Sequence, residues 1–326
     1  MVFHIPEWQR ELRFLGGNRD AEQARIDRFE TEIRAVARTY GVENGMIMRA
    51  QHAKMLAGFG TAEFRISRTL PEDLEVGFLI PGNAYPAEIR FSNASSLVAE
   101  SDAEPDLRGA AVRVLVGKGI YMDFLLTNAN RHHASDAEEA MATIVAFAVK
   151  GPLRELRGVL RLIRRVGLSD GLRIVRTLKA QMAVPVESLA SEAFYSRAPL
   201  VIGSTAVKYR MAPTVEKPAQ PTATVDLGAE LIERLQRDDV VFDFQVQEYV
   251  NATQTPIEDA AVEWDSPFVT IAQVVIPRGS EIDKTLDRQA FNPWNVPSDD
   301  FTPIGSMNRA RLRVYEASAS LRAVGL

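Results

Sequence analysis

Five runs decide the fold: TAEFRIS (Thr61–Ser67), LEVGFLI (Leu74–Ile80), AEIRFS (Ala87–Ser92), AAVRVLV (Ala110–Val116) and YMDFLL (Tyr121–Leu126). Several alternate apolar and polar residues with period two, and Gly, Pro, Asn or Asp separates them. That pattern predicts a meander of antiparallel strands between residues 51 and 126. VVFDFQVQEYV (Val240–Val250) and FVTIAQVVI (Phe268–Ile276) are rich in β-branched residues and read as further strands of the same sheet. A sheet assembled from two separated halves, residues 49–130 and 222–276, predicts an α+β fold, an antiparallel β-barrel with surrounding α-helices. The 326 residues are read as one domain, 1–326.

Helices fill the rest. Ile26, Phe29, Ile33, Val36 and Ala37 recur at helical spacing and predict an N-terminal helix over 19–40. Ser135-Asp-Ala-Glu138 is a capping box, so a helix starts near Asp136, runs towards Lys150 and opens a helical block over 135–200. Within it, residues 150–179 hold nine basic against two acidic residues, a local +7 that leaves −12 for the remainder. Leu153, Leu156, Leu160 and Ile163 read as the core stripe of a basic amphipathic helix, broken at Gly167 and followed by a second helix after Asp170. Residues 277–305, with four prolines, read as a wrapping segment, and Ser306 as the cap of a last helix over 306–324.

Composition narrows the chemistry. Hydrophobic residues at 46% and charged residues at 25% describe a folded, soluble protein, and a net charge of −5 argues against general attraction to nucleic acid. With no cysteine, disulfides, thiolate zinc or iron–sulfur sites and a thiolate axial ligand are excluded. The only histidines are His4, His52, His132 and His133. No apolar run reaches the ~20 residues of a membrane span. MVFHIPEWQREL lacks a basic stretch followed by an apolar one, so a cytoplasmic protein is expected.

Arg311, Tyr315, Ser318 and Arg322 fall at i, i+4, i+7 and i+11, one stripe of the last helix. A solvated face explains such a stripe. So does a buried tyrosine that ligates ferric iron as phenolate, with Arg311 one turn away to stabilise its charge and Arg322 placed for a haem propionate. His132-His133 reads as a helix-entry pair rather than a metal site, because adjacent histidines rarely aim at one ion. Ser92 with His52 lacks the nucleophile elbow of a hydrolase, and Gly58-Phe-Gly60 lacks the third glycine of a dinucleotide loop.

The run RAQHAKMLAGFGTAEF (Arg49–Phe64) resembles the distal-histidine motif of the haem catalases, with an Arg three residues before His52 and a Gly-rich strand after it. Ile89-Arg-Phe-Ser92 resembles that family's RFS strand, Asp106–Val112 its DPRGFAV motif, and Asp123–Asn128 the place of its distal asparagine. Arg311-Leu-Arg-Val-Tyr315 resembles the proximal R-x-x-x-Y, with Arg322 matching seven residues on. Five motifs in family order identify the chain as similar to the haem catalase superfamily, in particular its minimal catalase-related peroxidases, and to the allene oxide synthase-like hydroperoxide isomerases.

The resemblance implies haem b, Fe(III), with Tyr315 as axial tyrosinate supported by Arg311. It places His52 and Asn128 on the distal face, Ser92 orienting His52, and Arg49, Arg90 and Arg322 on the propionates. The implied activity is a haem peroxidase that reduces organic hydroperoxides and hydrogen peroxide through a ferryl intermediate, using a small-molecule electron donor, with weak catalase activity. The alternatives are a fatty-acid hydroperoxide isomerase, because a polar Gln51 precedes His52, and a non-enzymatic haem-binding protein. The chain is shorter than typical catalases and lacks their nucleotide-binding region, so NADPH binding is not expected. A homodimer and a peripheral contact of residues 150–179 with anionic lipid are expected. His133 and Met141 stand where the family has distal phenylalanines, and Ala94 where it has a channel valine, which implies a wider, more polar pocket. Ala317 and Ala319 replace the family's Asp and His after the tyrosine.

Overall fold

The computed structural model describes residues 6–40, 42–43, 46–47, 49–94, 101–151, 153–214 and 226–324. His4 lies outside them. Nine strands form the main sheet: β1 Met55–Ile66, β2 Ala84–Asn93, β3 Arg108–Gly117, β4 Ile120–Thr127, β5 Phe194–Ser196, β6 Leu200–Ile202, β7 Thr205–Pro213, β8 Val240–Glu248 and β9 Phe268–Ile276. All pairings are antiparallel. The order β8-β9-β1-β2-β3-β4-β5-β7 returns on itself where β7 pairs with β8, Met211 opposite Phe244, and closes an eight-stranded barrel to which β6 adds along β7. The expected antiparallel barrel with surrounding helices is thus the observed architecture.

Inward-facing aromatic rings fill the barrel. Phe244 sits 4.6 Å from Phe124 and 5.1 Å from Phe64, centroid to centroid, and all three are buried. Such a filled interior leaves no room for a ligand, so a cavity has to form outside the wall. Among the described residues seven helices surround the barrel: α1 Glu7–Glu11, α2 Arg19–Tyr40, α3 Ala137–Phe147, α4 Arg154–Val166, α5 Leu168–Met182, α6 Leu227–Leu235 and α7 Gly305–Val324. The helices α2, α3 and α7 pack on one another through Phe29, Ile33, Met141, Met307, Ala310 and Ala317.

Several local readings change, and the block 135–200, read as helical, also holds β5 and the start of β6. Leu74–Ile80 is not a strand but a 3-10 turn, Glu72–Leu74, and a loop. Its Leu74, Phe78 and Leu79 are buried at the barrel, so apolar character reflected burial without a partner strand. The cap of α3 is Asp136, one residue after Ser135. Its carboxylate accepts from the Glu139 N–H at 3.0 Å, while Glu139 reaches back to the Ser135 N–H at 2.8 Å. Ser306 does not cap α7. It lies inside the first turn and its hydroxyl donates to Glu258 at 2.6 Å. Finally, α5 starts at Leu168 rather than after Asp170, and Leu153, Leu156 and Leu160 are exposed; the buried face of α4 is Gly158 and Leu162.

An ion pair ties the barrel to the segment after β9. Arg113 on β3 and Asp123 on β4 stand opposite each other, buried, and form two hydrogen bonds of 2.7 Å. Asp123 also accepts from the Asn292 N–H and the Asn295 amide, and Arg113 donates to the Ala290 carbonyl. Residues 290–295 are thereby fixed against the outer face of the barrel.

Candidate active site

Between that face and α2, α3 and α7 lies a cavity of about 460 Å3. This is within the range of small-molecule and cofactor sites. Helical spacing sends Arg311, Tyr315, Ser318 and Arg322 of α7 into it together. Arg311 donates to the Tyr315 hydroxyl at 3.3 Å, and the Asn308 amide oxygen, accepting from Arg311 at 3.0 Å, fixes the guanidinium from the other side. Burial opposes the charge on Arg311, yet Tyr315 and Tyr209 outweigh it and hold the guanidinium above its ordinary pKa.

His52 enters from the turn before β1 with φ of 54°, a left-handed conformation that non-glycine residues adopt at a cost. Its N–H donates to the Ala94 carbonyl at 3.0 Å and its carbonyl accepts from Arg90 at 3.1 Å, which pins the turn. The imidazole Nδ1 lies 3.1 Å from the buried Ser92 hydroxyl on β2. Gly109 of β3 presents a bare backbone to the ring: a Cβ there would stand 2.5 Å from Nδ1. Desolvation, reinforced by Arg90, Arg49, Arg197 and Arg311, lowers the His52 pKa to about 3, so the ring is neutral near pH 7.

Arg49, Arg90 and Arg322 line the cavity close enough for their charges to repel one another. Arg90 pairs with Asp287 at 2.9 Å, and Arg49 donates to the carbonyls of Asp287 and Gln289. Among the described residues Asp287 is the one carboxylate paired with these three guanidiniums, leaving two positive charges in excess. Burial and the other two arginines push Arg49 down to about 8, and Arg90 and Arg322 are also lowered by burial. The Arg90 Nε is buried without a partner. Crowded, desolvated cations of this kind recover favourable energy when anionic oxygens approach them.

Asn128 departs from its expected place. Thr127 lines the cavity, and strand alternation turns the next side chain away. The Asn128 amide accepts from the Arg108 N–H at 2.8 Å and donates to Glu192 at 3.3 Å, and Asn128 does not line the cavity. His133 and Met141 do line it, as does Gln51 beside His52.

Sequence reasoning missed Arg197. It follows β5, lines the cavity, donates to the Thr127 hydroxyl at 2.7 Å and lies 3.4 Å from His133 Nδ1. Its Nε and the His133 Nε2 are buried without partners, and burial lowers Arg197 to about 9. Asp287 was missed as well. Both are single residues with no spacing signal, and only the folded chain brings them to the site.

No protein-family profile matches the sequence, and no curated protein matches it. Solved structures of similar fold include a bacterial catalase at 17% identity and TM-score 0.62. Catalase A from Saccharomyces cerevisiae aligns at 15% and 0.68, and a fungal catalase at 14% and 0.69. Each alignment covers 85% of this chain and 58%, 61% and 60% of those catalases respectively, so the chain spans about three fifths of their length. The fold is catalase-like.

Proposed function

We propose that the chain is a haem-dependent peroxidase of the minimal catalase-related kind, reducing organic hydroperoxides and hydrogen peroxide with electrons from a small-molecule donor. The observation that carries this reading is one cavity lined by two separate acid–base sets, Arg311–Tyr315 on α7 and His52–Ser92 on the turn and β2. The donor set fits haem b: a tyrosine oxygen held by a guanidinium for ferric iron, and two excess positive charges among Arg49, Arg90 and Arg322 for two propionates. Haem bound there would supply the ferric centre at which a peroxide bond is broken.

The chain's own residues then have defined tasks. Arg311 donates to the Tyr315 oxygen and fixes its position in the cavity. His52 is neutral, so with Nδ1–H donating to Ser92 its Nε2 is the base that takes the hydroperoxide proton and returns it to the departing oxygen. Ser92 and Gly109 keep the ring in one orientation. Asn128, engaged by Arg108 and Glu192, positions the loop after β4 rather than reaching the reacting atoms. Arg197 has no carboxylate partner among the described residues, which favours organic substrates that carry an acidic group.

Gln51 lining the cavity next to His52 supports a second reading, hydroperoxide isomerisation, in which no external reductant is consumed. Product analysis separates the two: an alcohol formed at the expense of a donor supports peroxidase, and a rearranged product formed without one supports isomerase. The first test is the absorption spectrum of haem-supplied protein. A stoichiometric high-spin ferric tyrosinate spectrum, lost in Tyr315→Phe, is expected. A histidine-type spectrum, or one unchanged in the variant, refutes the axial assignment.

A further inference from the structure

The helices α4 and α5 carry a surface that the cavity does not explain. They meet at Gly167, whose φ of 91° lets the chain reverse, and are anchored by a small cluster, Leu162 and Ile174 against Ala142 and Ala146 of α3. Gly158 lies against Phe147, and Gly171 against Ile163. On the outside, Leu153, Leu156, Leu160, Leu168 and Leu172 are each between 52% and 67% exposed. They are five of the eleven exposed large apolar side chains among the described residues, gathered within twenty positions. Scattered single leucines on a surface need no explanation; this concentration does.

The arginines of the hairpin divide into two groups. Arg165 and Arg173 face inward and are spent on ion pairs, Arg165 with Glu32 and Glu138, Arg173 with Glu139 and Asp170. Arg157, Arg161, Arg164, Arg176 and Lys179 are exposed, and among the described contacts none forms an ion pair. Exposed leucines beside unpaired long cations suit an interface of apolar chains under anionic headgroups. The leucines enter the acyl boundary, and the cations keep their charge at the headgroup level.

We infer that the α4–α5 hairpin docks the protein onto anionic lipid. A second copy of the chain is the poorer occupant, because it would set Arg157, Arg161, Arg164, Arg176 and Lys179 of one copy against the same exposed cations of the other. The hairpin lies one helix from the cavity. Ala137, Ala140, Met141 and Ile144 of α3 line the cavity, while Ala142 and Ala146 of the same helix pack on α4 and α5. Docking would therefore bring membrane-borne compounds to the wall of the proposed site, although docking itself does not depend on the proposed chemistry.

The test is cosedimentation of the full-length protein with phosphatidylserine-containing and with pure phosphatidylcholine vesicles, at low and high salt. Binding only to the anionic vesicles is expected, weakened at least about tenfold by high salt, since exposed charges are screened beyond ~10 Å at 0.1 M. Two variants alter exposed positions only: Leu156→Ser with Leu160→Ser, and Arg157→Gln with Arg161→Gln and Arg164→Gln. Circular dichroism checks their folding. At least a tenfold loss of vesicle binding in both supports the proposal. Absence of binding by the unaltered protein, or equal binding by both variants, overturns it. So does a dimer that dissociates in the leucine variant while no vesicles are bound, which would assign the surface to a second copy.

Discussion

A methyl group at Gly109 would lie 2.5 Å from His52 Nδ1, 2.6 Å from Cε1 and 3.0 Å from the Ser92 hydroxyl. The backbone there cannot retreat, because β3 is paired on both sides, and the imidazole sits on a turn already in the left-handed region. Gly109→Ala is therefore expected to displace the ring, at the roughly 1–3 kcal/mol of an overpacked site. On the proposed function, peroxide turnover should fall about tenfold or more while the haem spectrum persists; unchanged kcat/KM would show that ring orientation is not limiting. At this scale the sequence was legible wherever neighbouring residues share one local geometry. Arg311 and Tyr315 reach the same cavity because helical spacing dictates it, and His52 meets Ser92 because β1 and β2 pair antiparallel with Met55 opposite Ser92. Asn128 shows where that logic stops, since one residue of strand parity decides whether a side chain faces the cavity or the loop behind it. Arg197 and Asp287 stand alone in the sequence and acquire meaning only from tertiary proximity.

Among the elements, the β3–β4 pair does more than continue the sheet. Asp123 satisfies Arg113 twice and anchors residues 290–295, and Ala290, Phe291, Asn292 and Asn295 are cavity wall. Asp123→Ala leaves a buried guanidinium without its partner, a loss of about 3–5 kcal/mol. The expected outcome is a clearly lower urea midpoint and, on the proposed function, weaker haem retention. A normal midpoint would mean that stacking on Tyr121, 4.1 Å from the guanidinium carbon, suffices. Period two revealed most barrel strands, yet Leu74–Ile80 is apolar for burial alone. The short β5 and β6 lay hidden inside a stretch read as helical, and β7 was not foreseen. Periodicity also placed Leu153, Leu156 and Leu160 on one face of α4 but could not say which way that face points. Gly158, small enough to let α4 close on Phe147, settles it.

For the molecule as a whole, acid is the expected weakness. His52 and His133 each titrate near pH 3 in the folded chain instead of 6.5, chiefly through burial and then through nearby arginines. Between those values the unfolded chain binds more protons, so stability is greatest above pH 6.5 and is lost as pH falls from 6.5 towards 3. By pH 5 the loss is about 2 kcal/mol for each imidazole. The denaturation midpoint should therefore drop between pH 7.5 and 5, and drop less in His133→Phe; identical slopes in the two proteins would remove His133 from the account.

The barrel closure also sets an order of events in time. Ala272 of β9 pairs with Ile66 of β1, about 200 residues earlier, and contacts so distant are slow to form. On the ribosome, β1 to β4 are made long before β9 exists, with an open strand edge that invites wrong pairing until the ladder arrives. Tyr315 emerges later still. A nascent chain thus carries the histidine half of the cavity through most of its synthesis with no opposite wall, and the haem site proposed above is complete only at the last stage of its maturation.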